Sequence, residues 1–171
     1  AFAIPTITVV LDDAFDALVS SLPLTEHPLA SANVKPRLRM TALYYLAQTH
    51  NYLVLGSGNR TELMVGYFTK YGDGGADLLP LGDLYKTEVW ELARDLGVPQ
   101  KVIERAPSAG LWPGQTDEEE LGITYRELDR VLSAIASTDT SDIAPAMLKR
   151  VERMIASSAH KRAMPPIFER C

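Results

Sequence analysis

The stretch YLVLGSGNRTEL, residues 52–63, contains the start of an α/β fold within one short segment. Residues 52–56 form a compact apolar run that ends in glycine, which is typical of a buried strand. Residues 57–59 predict a turn, and a helix is expected to begin at Arg60. Because a helix N-terminus presents unpaired backbone N–H groups, this strand–turn–helix pattern favours binding of an anion.

Two residues of this segment are candidate site residues. Ser57 offers a hydroxyl donor in the turn, and Glu62 lies in the first turn of the predicted helix. Asn59 and Glu62 have the spacing of a capping box, in which each side chain accepts a hydrogen bond from the other's backbone. Glu62 is equally suited to be a hard oxygen ligand for Mg²⁺ beside a phosphate. The spacing alone favours the cap.

The next segment, KYGDGGADLLPLGDLYK at residues 70–86, is rich in glycine and charge. Its glycines allow the backbone to approach a ligand closely, and Lys70 and Asp77 flank them with opposite charges. The alternative is a mobile surface hairpin with solvated charges. A helix is predicted over 84–96 with Asp83 as its cap. Lys86 lies in its first turn, where the helix dipole disfavours a cation, so we expect an anion beside it.

Other segments complete the prediction of an α/β fold with few strands and a helix-rich C-terminal part. A strand is predicted at 6–11, and further helices are predicted after Asp12 or Asp13, over 33–50, after Thr124 with Glu127 in a capping box, and after Asp142. Arg37 and Arg39 lie at the cation-disfavouring start of the second of these helices, which favours an anionic partner. The acidic run that follows Thr116 predicts a solvated helix start.

The composition is that of an ordinary soluble domain. The chain has 171 residues, 46% of them hydrophobic and 23% charged, which fits one domain with a real core. A net charge of −5 argues against a nucleic-acid binder, and no apolar run reaches membrane-spanning length. The single cysteine, Cys171, has no intrachain partner. We therefore expect a cytoplasmic protein, and the start at Ala1 rather than methionine suggests a missing upstream part.

Five sequence blocks, taken in order, resemble the ammonia-dependent NAD synthetases. They are NVKPRLRM (33–40), LVLGSGNRTEL (53–63), GYFTKYGDGGADLLPLGDLYKTEVWELA (66–93), PSAGLWPGQTDEEELGI (107–123) and HKRAMPP (160–166). The resemblance implies the Rossmann-like, doubly wound parallel sheet of the adenine nucleotide α-hydrolase-like ATP pyrophosphatases. It also implies a homodimeric ligase of NAD biosynthesis that amidates deamido-NAD with ammonia and ATP, through an NAD-adenylate, and releases AMP and pyrophosphate.

The resemblance also implies roles for individual residues, although it names no catalytic side chain. Contacts with deamido-NAD are implied for Arg37, Lys70, Asp77, His160 and Lys161, contacts with ATP for Ser57, Lys86 and Ser108, and a Mg²⁺-ligand role for Glu62. For His160 and Lys161 a structural alternative stays open, because cations suit the C-terminus of a helix.

One motif of the family does not occur in this chain. The pyrophosphate loop Ser-Gly-Gly-x-Asp-Ser normally follows the first strand and binds pyrophosphate and Mg²⁺. We therefore expect residues 1–171 to be a single NAD synthetase domain without its N-terminal pyrophosphate-loop portion. Two alternatives remain: the synthetase portion of a glutamine-dependent enzyme, and a non-catalytic dinucleotide-binding fragment.

Overall fold

A computed structural model describes residues 3–169, and helices dominate this part of the chain. They are α1 (Asp12–Ser20), α2 (Pro28–Ala32), α3 (Val34–His50), α4 (Arg60–Val65), α5 (Lys86–Asp95), α6 (Gln100–Ile103), α7 (Asp117–Leu121), α8 (Tyr125–Ser137), α9 (Pro145–Ser157) and α10 (Ala159–Arg162). No helix within these residues is long and apolar enough to span a membrane. Ala1 and Cys171, on which two predictions depend, lie outside the described residues.

The two predicted strands do not form a sheet within residues 3–169. Residues 52–56 are extended but pair only at one parallel bridge, between Leu55 and Leu78. The Gly56 N–H donates to the Leu78 carbonyl at 2.9 Å. Residues 6–11 carry no strand pairing and expose Val10 by 76%. A strand requires a neighbour for its backbone ladder, and the described residues supply a single bridge for residues 52–56 and none for residues 6–11.

The hydrophobic core is built around α8. Leu128 and Leu132 are fully buried, and Val131 is 2% exposed. These residues follow the three- and four-residue spacing of one helix face, as the sequence predicts. The predicted capping box is confirmed, since the Glu127 N–H donates to the Thr124 side chain and the Thr124 N–H donates to Glu127 Oε2 at 3.2 Å. Helices α4, α5 and α9 pack on α8, so the core aligns the helices that carry the candidate site.

Three predicted helix caps are wrong. Asp83 does not cap α5, which begins at Lys86, and instead forms an exposed ion pair with Arg60 at 3.3 Å. Asp12 is already the first residue of α1, whose N-cap makes no side-chain hydrogen bond. Helix α9 begins at Pro145 with Ala144 at its N-cap, so Asp142 does not cap it. Proline suits a first helical position because the N–H that it lacks has no partner there.

Candidate active site

The start of α4 fixes the carboxylate of Glu62. Asn59 Oδ1 accepts the Glu62 N–H at 3.0 Å, and Glu62 Oε2 accepts the Asn59 N–H at 3.1 Å. The capping box expected from the spacing is therefore confirmed. Asn59 is only 2% exposed, so the cap is shielded from water. This arrangement leaves Oε1 as the carboxylate oxygen that points away from the cap.

Lys86 pairs with that second oxygen. Lys86 Nζ lies 3.0 Å from Glu62 Oε1, and each side chain is only 16% exposed. The ammonium also lies 4.9 Å from the centre of the Tyr125 ring, within the range of a cation–π contact. The anion expected beside Lys86 is thus Glu62 itself in this structure. The residues predicted to contact ATP and Mg²⁺ are immediate neighbours.

Both residues line a cavity of about 840 Å³. Ligand pockets commonly measure about 300–1,000 Å³, so a nucleotide-sized molecule fits the space. The cavity wall also includes Ser57 from the turn before α4, Ser108 from the loop after α6, and Lys161 from α10. The structure therefore brings together the residues predicted for ATP and for Mg²⁺, with one residue predicted for deamido-NAD.

The other residues predicted for deamido-NAD do not line this cavity, but three of them are linked to each other. Lys70 Nζ donates to the His160 carbonyl oxygen, and Arg37 Nε donates to the Lys70 carbonyl oxygen at 3.4 Å. Lys161 Nζ donates to the carbonyls of Gly66 at 2.7 Å and Phe68 at 2.8 Å. The glycine-rich segment and the end of α10 are consequently joined through lysine-to-carbonyl hydrogen bonds.

Two causes lower the pKa of Lys161. Burial of the ammonium is the larger cause, and the charge of neighbouring Arg162 adds to it. A partly desolvated ammonium interacts more strongly with an anionic ligand than a fully hydrated one.

Asp77 stands apart from these residues. Its Oδ2 accepts the Val54 N–H at 2.8 Å, and its Oδ1 accepts the Tyr44 hydroxyl at 3.1 Å. The carboxylate thereby ties the extended residues 52–56 to α3. In this structure Asp77 organises the backbone beside the cavity and does not face it.

An acidic and aromatic wall of the cavity was missed by sequence reasoning. Asp117 is only 5% exposed and accepts the Tyr125 hydroxyl at 2.9 Å. The Tyr67 hydroxyl lies 2.9 Å from Glu120 Oε2 and 3.1 Å from Asp117 Oδ1. The prediction of a solvated helix start is wrong for Asp117, because Tyr125 of the next helix and the sequence-distant Tyr67 cover it. No local pattern signals such contacts.

Burial is the largest cause that raises the pKa of both Tyr67 and Tyr125, and the nearby carboxylates raise it further. Both phenols therefore stay protonated at neutral pH and act as hydrogen-bond donors. Their protons hold Asp117 and Glu120 in position at the cavity wall.

Two arginines on the cavity wall are available to an anion. Arg39 and Arg105 line the cavity, and neither forms an ion pair within residues 3–169. The sequence signals an anionic partner for Arg39, because the residue lies near the N-terminal end of α3, where the helix dipole disfavours a cation. No sequence pattern identifies Arg105, which lies in a loop, as a site residue. Unpaired guanidinium groups are good partners for phosphate oxygens.

A divalent cation fits this wall through one carboxylate. Within residues 3–169 no group of three or more His, Cys, Asp or Glu side chains could hold a metal ion. Mg²⁺ is, however, commonly bound by one or two carboxylates together with substrate phosphates and water. Glu62 Oε1 is the hard oxygen at the cavity wall, and it pairs with Lys86 in this structure, so Mg²⁺ held mainly by a nucleotide would take the place of the ammonium at that oxygen.

Comparison with known proteins identifies the family. The sequence model of the NAD synthase family matches residues 1–165. The NH(3)-dependent NAD(+) synthetase of Carboxydothermus hydrogenoformans is 55% identical over 94% of this chain and 65% of its own length. That of Archaeoglobus fulgidus is 59% identical over 81% of this chain and 56% of its own. The chain thus spans less than two thirds of the length of these relatives.

Solved structures agree with the sequence relatives. The NMN synthetase of Francisella tularensis superimposes with a TM-score of 0.83 at 40% identity, covering 95% of this chain and 66% of that one. The NH3-dependent NAD synthetase of Campylobacter jejuni gives 0.77 at 28% identity, covering 93% and 63%. These neighbours confirm the α/β fold expected from the resemblance, although no sheet forms within residues 3–169. The chain therefore belongs to the NAD synthase family.

Proposed function

We propose that the protein is an ATP-dependent ligase that amidates deamido-NAD to NAD with ammonia. One observation carries the proposal: Ser57, Glu62, Lys86 and Ser108 line a single cavity of about 840 Å³. These residues come from three segments of the chain; the two hydroxyls and the lysine suit a nucleoside triphosphate, and the Glu62 carboxylate suits the Mg²⁺ that accompanies it. Family membership supports the same reaction.

The chemistry explains why cations stand beside the carboxylates on the cavity wall. A nicotinate carboxylate is a poor electrophile towards ammonia. One of its oxygens therefore attacks the α-phosphorus of ATP and pyrophosphate leaves, which yields an acyl adenylate. Ammonia then attacks the carbonyl carbon, and AMP leaves with that oxygen. Negative charge gathers on the phosphate during the first step, so positioned cations assist it more than a nucleophilic side chain would.

Individual residues have proposed roles in that step. Lys86, Arg39 and Arg105 are cations on the cavity wall and would bind phosphate oxygens. Glu62 would hold Mg²⁺, which supplies further positive charge against the phosphates when bound. Ser57 and Ser108 would donate hydroxyl hydrogen bonds to the nucleotide.

Deamido-NAD is proposed to bind beside the nucleotide. The hydrogen bonds that link Arg37, Lys70 and His160 support a common binding region for these residues, and Lys161 connects that region to the cavity. Asp77 would act on the dinucleotide through the backbone that it holds. A homodimer is proposed from the resemblance alone, and the cytoplasm from the composition of the chain.

A second candidate substrate is the deamido form of NMN. The 40% identity and TM-score of 0.83 to the NMN synthetase of Francisella tularensis favour this alternative. The same adenylation chemistry serves both substrates, because each carries the nicotinate carboxylate. The two differ in the adenylate half that only the dinucleotide carries.

The test is a product assay with separate substrate arms. The protein is incubated with ATP, Mg²⁺ and ammonium, with either deamido-NAD or deamido-NMN, and amide, AMP and pyrophosphate are measured by chromatography. We expect NAD and equal amounts of AMP and pyrophosphate from the dinucleotide. Faster turnover of deamido-NMN would favour the second candidate, and glutamine outperforming ammonium would favour the glutamine-dependent alternative. Calorimetric binding of deamido-NAD without turnover would identify a non-catalytic fragment.

A further inference from the structure

We infer that Thr61 and Asp129 are positioning residues that set the geometry of the Glu62–Lys86 pair. The inference rests on the proposed function, in which this pair acts on the nucleotide and Mg²⁺. Neither Thr61 nor Asp129 lines the cavity, so each acts through other residues. The proposal concerns the side chains that connect α8 to the first turns of α4 and α5.

Asp129 is a buried carboxylate with two partners. It lies on α8 and is only 6% exposed. Its Oδ1 accepts the Thr61 hydroxyl, and its Oδ2 accepts the Thr87 N–H at 2.8 Å. A carboxylate buried to this degree is costly unless its oxygens are satisfied, and both are satisfied here by the site helices.

Thr61 transmits this constraint to Lys86. Its side chain is fully buried, and its Oγ1 accepts the Lys86 N–H at 2.9 Å. Because the backbone N–H can only donate, the Thr61 hydroxyl proton must point towards Asp129. The resulting chain of hydrogen bonds has one direction, from Lys86 N–H through the hydroxyl to the carboxylate.

Together these bonds add to the one local cap at the start of α5, in which Glu88 Oε2 accepts the Tyr85 N–H at 2.7 Å. Lys86 and Thr87 are its first two residues, and their N–H groups have no partner inside the helix. Both are instead satisfied from α4 and α8. This explains why Asp83, the cap predicted from sequence, is dispensable there.

The same bonds determine where the two charged side chains meet. Thr61 precedes Glu62 on α4, and the Lys86 N–H that it holds belongs to the lysine paired with Glu62. The Arg60 N–H donates to the Leu84 carbonyl at 2.8 Å and joins the same two segments. Loss of the Thr61 hydroxyl would release the start of α5 from α4 while leaving both charged residues present.

The decisive variant is Thr61→Val, which removes the hydroxyl and keeps the volume. Thr61→Ser restores the hydroxyl and should restore wild-type behaviour. The matched control is Thr124→Val, which removes a capping hydroxyl at the exposed start of α8, on the residue that pairs with Glu127. If Thr61→Val does not fold, Asp129→Asn breaks the same chain at its other end.

Two kinds of measurement, one structural and one kinetic, separate positioning from stability. In Thr61→Val we expect the Lys86 amide proton to exchange faster, and a crystal structure to show the Glu62–Lys86 separation beyond about 4 Å, the limit of an ion pair. We also expect kcat/KM to fall by about tenfold or more, since small displacements of catalytic groups cost that much. Thr124→Val should lower Tm without either change.

The outcomes distinguish this inference from the proposed function. If Thr61→Val keeps the wild-type Glu62–Lys86 distance and the wild-type kcat/KM, the inference is overturned. If the wild-type protein forms no AMP, the proposed function fails, and the amide exchange and crystal structure still decide whether Thr61 positions the pair. Recovery of both measurements in Thr61→Ser would support the positioning role.

Discussion

Removing one hydroxyl, by Tyr125→Phe, tests whether the buried tyrosine–carboxylate contacts stabilise the wall of the site. The Tyr125 side chain is fully buried, and its hydroxyl donates to Asp117 at 2.9 Å. Phenylalanine fills almost the same volume, so the substitution removes a hydrogen bond and opens no large cavity. Asp117 then retains only Tyr67, at 3.1 Å, whose single proton is shared with Glu120.

The expected cost follows from this geometry. A hydrogen bond to a charged group contributes about 1.5–3 kcal/mol to stability. We expect a loss of about 2 kcal/mol, because the buried Asp117 carboxylate keeps one partner, Tyr67. In a domain of this size each kcal/mol lowers Tm by about 2–4 °C, so we expect a decrease of about 4–8 °C. Differential scanning calorimetry measures the shift.

The control is Tyr45→Phe. Tyr45 is 71% exposed, and its hydroxyl makes no hydrogen bond within the described part of the chain. We expect its Tm to stay within about 1 °C of the wild-type value, as for most surface substitutions. An equally small change in Tyr125→Phe would refute the reasoning, because it would mean that the buried hydroxyl contributes nothing to Asp117.

Three further predictions concern stability. Because burial raises the pKa of Tyr67 and Tyr125 above the unfolded value, the stability that they contribute is complete below about pH 10 and is lost above it. The wild-type Tm should therefore fall more steeply above pH 10 than that of the double phenylalanine variant, and parallel curves would contradict this. Leu132→Ala should cost about 2–5 kcal/mol in urea titration, since Leu132 is fully buried, and a cost below about 1 kcal/mol would contradict the described core. Gly122→Ala and Gly97→Ala both force alanine to a positive φ, at 62° and 68°, which costs about 1–2 kcal/mol. Only the Gly122 position would bring the new Cβ against the Arg150 side chain, so Gly122→Ala should be the more destabilising, and equal melting temperatures would count against that contact.

Local patterns predicted the helices that carry their own signals. The apolar spacing around Leu128 and the Thr124–Glu127 capping box define α8 in sequence and in structure. The Asn59–Glu62 spacing defines the start of α4 in the same way. In each case the residues that decide the structure are within a few positions of one another.

Features that depend on distant partners could not be predicted. The start of α5 is held in part by Asp129, which lies 42 positions after Thr87, whereas the local candidate Asp83 is exposed. The sequence predicts that Asp117 belongs to a solvated acidic run, whereas in the structure Tyr67 and Tyr125 cover it. These contacts depend on how α8 packs against the rest of the chain, which short patterns do not encode.

The prediction of strands also failed because a strand depends on a partner that is distant in sequence. Residues 52–56 have the composition of a strand, but a strand needs a partner for its backbone groups. Within residues 3–169 the partner is a single bridge at Leu78, and Leu53 remains 70% exposed. The family resemblance predicted ATP contacts for Ser57, Lys86 and Ser108, and the structure places all three on the wall of one cavity. Their contacts with ATP remain predictions.

The most direct test of the central claim is an oxygen-isotope experiment. Deamido-NAD labelled with ¹⁸O in the nicotinate carboxylate is converted with ATP and ammonium, and the phosphorus products are analysed by mass spectrometry. Adenylation of the carboxylate predicts one ¹⁸O atom in AMP and none in pyrophosphate. Label in inorganic phosphate, with ADP as the other product, would contradict adenylation at this site.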